Sequence, residues 1–141
     1  MSKLENLKPQ KVFYFFEKIC SIPHGSRNTK AISDYLVSFA KEHNLEYYQD
    51  DSNNVVMIQE ATKGYEDAEP IIIQGHMDMV CEKENGVEID FEKDGLDLYV
   101  EDGFLKARGT TLGGDDGIAV AYALAILDSP EIAHPRLEVV I

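Results

Sequence analysis

Residues 71 to 78 read Ile-Ile-Ile-Gln-Gly-His-Met-Asp. The three isoleucines are too apolar for a surface strand and the run is too short for a helix, so they predict a buried, central strand. That strand would deliver His76 and Asp78 at its carboxyl end. Side chains two apart on an extended backbone point the same way, so an imidazole and a carboxylate sit together there. A lone histidine at a strand end is most often structural, but a neighbouring carboxylate fixes its tautomer and raises its basicity, as around metal-binding histidines.

Further along, Gly113-Gly114-Asp115-Asp116-Gly117 places two carboxylates in a glycine-framed turn before an apolar, alanine-rich stretch. One reading is an ordinary helix start capped by aspartate. The other is a metal site, because bare backbone allows close approach and a carboxylate can bridge two cations through its two oxygens. With His76 and Asp78, the pattern points to a metal-dependent hydrolase.

The elements around these motifs follow from periodicity. Val12, Phe13, Phe15, Phe16, Ile19 and Cys20 recur at helical spacing after Pro9, which suits a first-turn position. Pro23, Gly25 and Ser26 end this helix. Asn28 is placed to cap a second helix running to about Asn44, with Ile32, Tyr35, Leu36, Phe39 and Ala40 inward. Residues 46–50 and 54–59 predict a hairpin, and the acid-rich segment 82–98 a solvated excursion. Asp102-Gly103 between strand formers is a strong hairpin signal. A helix over 116–127 ends at Ser129-Pro130, and Leu137 to Ile141 begins another apolar strand in which the sequence stops. That terminus predicts a longer polypeptide, because chain ends usually fray into solvent.

Composition narrows the partners. At 141 residues and 44% hydrophobic, one domain with a real core is expected. Thirteen basic against 26 acidic residues give a formal net charge of −13, which repels nucleic acid and anionic membranes. The amino terminus lacks a signal-peptide pattern, and no stretch approaches ~20 apolar residues, so a cytoplasmic location is expected. Cys20 and Cys81 show no zinc-ligand spacing and are read as free thiols. His43 and His134 are read as surface or capping side chains, and His24, in a Pro-Gly loop, as a weak candidate to face the site.

The runs Gln74-Gly75-His76-Met77-Asp78-Met79-Val80 and Lys106-Ala107-Arg108-Gly109-Thr110-Thr111-Leu112-Gly113-Gly114-Asp115-Asp116-Gly117-Ile118, with Lys18-Ile19-Cys20-Ser21-Ile22-Pro23-His24, resemble the aminoacylhistidine dipeptidases. These carnosine-cleaving Xaa-His dipeptidases belong to the co-catalytic di-zinc exopeptidases. His-x-Asp alone marks the wider family; the residues after it and the Gly-Thr-Thr-Leu-Gly run narrow it. The resemblance implies that His76 ligates one zinc, that Asp115 bridges two, and that Asp78 serves catalysis by orienting His76 without binding metal. Asp116, where relatives often carry asparagine, is implied to be a backbone feature beside a strained peptide rather than a ligand.

The resemblance further implies an α/β fold, a three-layer α/β/α sandwich with a mixed sheet, incomplete at the carboxyl end. Residues 1–141 would be the amino-terminal part of the catalytic domain, with the lid or dimerisation domain, the general-base glutamate and the remaining ligands beyond Ile141. The whole protein would then hydrolyse dipeptides such as β-alanyl-histidine with two zinc ions, cobalt or manganese being alternatives, and could be a homodimer; the 141 residues alone would be inactive. A related di-zinc tripeptidase, an amino-acid deacylase, or a non-catalytic fragment with an incomplete metal site are the competing readings.

Overall fold

The computed structural model describes residues 2–141. Helix α1 (Gln10–Ser21) buries Val12, Phe15, Phe16, Ile19 and Cys20, the stripe that a 3.6-residue period lays along one face. Pro9 stands immediately before it, and Ile22, ahead of Pro23, is already extended. Helix α2 (Lys30–Glu42) starts after Thr29 rather than Asn28, and no side chain caps it. Of its expected stripe Tyr35 stays partly exposed, while Ser33 and Val37 are buried. Ser33 tolerates burial because its hydroxyl donates to the Asn53 carbonyl and accepts from Gln49 Nε2, each at 2.8 Å.

Strands β1 (Glu46–Gln49) and β2 (Val55–Gln59) form the expected antiparallel hairpin. Its turn is built by Asp50, whose Oδ1 accepts from the Ser52 and Asn54 amides at 2.9 Å. Strand β3 (Ile71–Gln74) runs toward the site, and β4 (Leu98–Glu101) and β5 (Phe104–Ala107) make a separate two-stranded sheet. Asp102 and Gly103 both take positive φ at that turn, the backbone a two-residue hairpin needs. Helix α3 (Gly114–Leu127) packs on α1, and β6 (Leu137–Val140) completes the four-stranded sheet.

The sheet order is β1-β2-β6-β3, with β6 antiparallel to β2 and parallel to β3. This is a mixed α/β fold with a mixed sheet. The expected central position of β3 is corrected: among the described residues it is an edge strand, paired with β6 alone, and Ile71 and Ile72 are 48% and 65% exposed. The apolar run signals a strand that prefers burial, but it carries no information on which neighbour takes the interior place, and β6 does. Val55, Met57, Leu137 and Val139 share one sheet face and join the three helices in a single buried core. Residues of the other face, including Tyr48 and Ile72, lie outside that core. Among the described residues, no helix is long and apolar enough to cross a membrane.

Candidate functional site

Just beyond β3, Gly75 N–H still donates to the Val140 carbonyl at 3.1 Å. Met77 and Met79 turn inward, 8% and 3% exposed, so His76 and Asp78 share the outward side as the two-residue period predicts. The outward side meets the start of α3. A Cβ at Gly75 would lie 2.9 Å from Asp116 Oδ2 and would push that carboxylate aside. Asp116 Oδ2 accepts the His76 main-chain N–H at 3.2 Å. The Asp116 side chain thus ties the start of α3 to the His76 backbone.

The start of α3 is not an ordinary capped helix. Gly113 precedes it with φ +71°, against Met79, and neither Asp115 nor Asp116 caps the helix through its side chain. Both aspartates have non-helical backbone angles, and the peptide between them is cis. Asp115 is thrown outward, its side chain 96% exposed.

These elements bring His76, Asp78 and Asp115 together. The His76 ring stands between two carboxylates: Nδ1 is 3.0 Å from Asp78 Oδ1, and Nε2 is 3.0 Å from Asp115 Oδ1. Burial disfavours the charged ring, but hydrogen bonds to Asp115 and Asp78 outweigh it and raise the His76 pKa. The Asp78 carboxyl is held below its ordinary range, first by the Ser26 hydroxyl and then, against a smaller effect of burial, by His76. Ser26 Oγ donates to Asp78 Oδ2 at 2.5 Å.

Ser26 is the site residue that sequence reasoning missed. Nothing in its spacing relates it to position 78; the link is tertiary, a parallel bridge between Gly25 and Met79. The other histidines stand apart. His43 ends α2 as a capping side chain, its Nδ1 2.9 Å from the Phe39 carbonyl and its Nε2 2.7 Å from Asp128 Oδ1. His134 is buried, 8% exposed, which corrects the surface reading; its Nδ1 lies 2.6 Å from the Pro135 carbonyl. His24 is 3% exposed, with Nδ1 2.6 Å from the Ile22 carbonyl and no partner at Nε2 among the described residues.

As a metal cradle the donor set is partial. His76 Nε2 and Asp115 Oδ1 converge, with the second Asp115 oxygen open to solvent, and imidazole plus carboxylate is a chemistry that zinc accepts. Among the described residues no group of three or more His, Cys, Asp or Glu side chains gathers to hold a metal. The two donors fit one edge of a site, not a closed one. Cys20 and Cys81 are both free thiols and lie outside it.

No protein-family model matches the chain. Over all 141 residues it is 42% identical to the cytosol non-specific dipeptidase of Escherichia coli, of which it spans 29%. The crystal structure of an aminoacylhistidine dipeptidase from Vibrio alginolyticus superposes with a TM-score of 0.95 at 39% identity, over 99% of this chain and 28% of that one. A tripeptidase from Staphylococcus aureus, at 21% identity and a TM-score of 0.74 over 96% of this chain and 36% of its own, shares the fold alone. The chain thus spans less than a third of the length of the dipeptidases it matches. Over almost its whole length it is similar to these dipeptidases, at 39–42% identity.

Proposed function

We propose that the chain supplies part of the active site of a metal-dependent dipeptidase: His76 as a terminal zinc ligand, Asp115 as the bridging carboxylate and Asp78 as the residue that orients His76. The observation that carries this reading is the His76 ring held between two carboxylates at 3.0 Å on each nitrogen. The competing His-Asp pair in the molecule lacks the same openness. The His43 and Asp128 side chains are 24% and 34% exposed against 49% and 96% for His76 and Asp115, and Asp128 also pairs with Lys11.

Zinc bound at such a site would lower the pKa of a water and polarise the scissile carbonyl. The residues of this chain prepare that position. Asp78 offers Nδ1–H two acceptors at 3.0 Å, its carboxylate and its own carbonyl, so Nε2 would be left to bind metal. Asp116 and Gly75 lock the strand end to the start of α3, so His76 and Asp115 approach from two elements at a fixed separation. The outward Asp115 carboxylate would hold metal beside His76. The general base and further ligands belong, in this reading, to residues outside the 141. The substrates are dipeptides, β-alanyl-histidine among them, in a cytoplasmic enzyme whose homodimer contacts also lie outside these residues. The dipeptidase reading is preferred to a tripeptidase because the likeness to the dipeptidases rests on 39–42% identity and that to the tripeptidase on 21%.

An assay with β-alanyl-histidine and trialanine tests this. Purified 141-residue protein is expected to cleave neither, and a longer polypeptide containing it to prefer the dipeptide. Chelator-sensitive cleavage by the 141 residues alone, or preference for the tripeptide in the longer protein, contradicts the reading.

A further inference from the structure

Strand β3 leaves one row of its backbone groups without a ladder partner. Among the described residues it pairs with β6 alone, and the Ile71 and Gly75 amides face β6, donating to the Arg136 and Val140 carbonyls at 2.9 and 3.1 Å. Backbone groups alternate in direction along a strand, so Ile72 and Gln74 turn their N–H and C=O outward. Edge strands are commonly guarded by charge, by proline or by a bulge. The other edge strands among the described residues follow that rule, with Glu46 in β1, Glu101 in β4 and Lys106 in β5. Strand β3 has no charged side chain, and both Ile71 and Ile72 are exposed.

Charge and register fit this edge to a second copy of the chain. Each copy carries a formal net charge of −13, which opposes association over most of the surface, but residues 70–77 contain no acidic or basic side chain. The acid beside them on β6, Glu138, is already paired with Arg136. A two-fold axis through Ile73 sets Ile72 opposite Gln74 of the second copy, where each pair exchanges both of its outward hydrogen bonds. Ile71 then lies against the bare backbone of Gly75. An axis through Ile72 would instead set Gln74 opposite Pro70, which has no N–H to donate. We infer that two copies of the 141-residue chain pair antiparallel through β3, joining their four-stranded sheets into one. Only this edge is unguarded, so the assembly closes at two. A strand edge this short buries less than a standard interface, which makes the dimer weak, and salt strengthens it by screening the repulsion between two acidic chains. The pairing does not depend on the metal reading and is separate from the homodimer contacts placed outside these residues.

Sedimentation equilibrium from about 10 µM to about 1 mM, the span in which so small an interface dissociates, tests this. The mass is expected to rise from that of one chain towards that of two, at lower concentration in about 0.5 M salt than in about 20 mM. Ile72→Lys, at an exposed position, is expected to keep the melting temperature and stay monomeric throughout. Tyr48→Lys, on the same sheet face at the far edge, is expected to dimerise as wild type does. Amide exchange at Ile72 and Gln74 should slow as concentration rises, with that of β1 unchanged. A chain still monomeric at about 1 mM in the higher salt overturns the inference. So does a dimer that Ile72→Lys leaves intact or Tyr48→Lys abolishes, or assembly beyond two copies. Ile72 and Gln74 amides protected equally at every concentration would give the edge to another segment of the same copy, and overturn it too.

Discussion

Asp116 Oδ2 accepts the main-chain N–H of His76 at 3.2 Å, forty residues away in sequence, and so binds the end of β3 to the start of α3. The contact exists because Gly75 presents no Cβ, which would stand 2.9 Å from that oxygen. Asp116→Asn keeps an acceptor and is expected to change little. Asp116→Ala is expected to cost about 0.5–1 kcal/mol in urea unfolding, the lower part of the range for a single hydrogen bond, since this one is exposed. Gly75→Ala, by displacing the carboxylate, should speed exchange of the His76 amide as Asp116→Ala does. Unchanged His76 exchange in both variants would show that the bond is not made.

The two thiols differ in environment. Burial pushes the Cys20 thiol up to about 12, with Glu17 adding to the rise, and Cys20 is 1% exposed. Cys81 is raised too, by burial and then by Glu82, but stays partly accessible. A disulfide reagent at pH about 8, near the ordinary thiol pKa, is expected to label one thiol slowly in the native protein and the second only on unfolding. Cys81→Ser should remove the first phase. Both thiols reacting together in native protein would contradict the packing of Cys20.

His24 is buried, and burial lowers its pKa against the smaller opposing effects of the Ile22 carbonyl and the Asp78 charge. The folded state therefore binds fewer protons here than the unfolded state. The sign follows: stability is full above the unfolded histidine pKa of about 6.5 and falls as pH drops below it. His24→Leu is expected to flatten the decline of stability between pH about 6.5 and about 5. An equally steep decline in the variant would assign the acid sensitivity to other groups.

Asp128 joins α1, α2 and the end of α3. Burial raises its pKa, but hydrogen bonds from His43 and Lys11 outweigh this and leave it lowered. Its contribution is present above the unfolded aspartate range and lost as pH falls through the folded value. Asp128→Asn should lower the urea midpoint at neutral pH and narrow the gap to wild type in acid. A gap that widens in acid would reverse the assignment.

The parts of this molecule that were legible in the sequence are those set by short-range periodicity. The Val12 to Cys20 stripe needed only helical spacing, the Asp102-Gly103 turn only its dipeptide between strand formers, and the shared side of His76 and Asp78 only the strand repeat. What stayed hidden depends on chain segments that meet far apart in sequence. The apolarity of Ile71 to Ile73 did not reveal that β6 would take the interior place, nor did Ser26 show that a Gly25–Met79 bridge would carry it to Asp78. The buried His134 was missed for the same reason: its amide donates to Thr62 Oγ1 at 2.9 Å, across a loop that periodicity does not place.

The most direct test of the account is zinc titration of the 141-residue protein followed residue by residue by amide NMR. Among the described residues two histidines meet aspartate at 3.0 Å or less, His76 with Asp78 and Asp115, and His43 with Asp128, so the signal locates the metal. The account predicts saturable perturbations at residues 75–78 and 113–117, abolished by His76→Ala and weakened by Asp115→Ala. Perturbations centred on His43 and Asp128, or a titration that His76→Ala leaves unchanged, would contradict it.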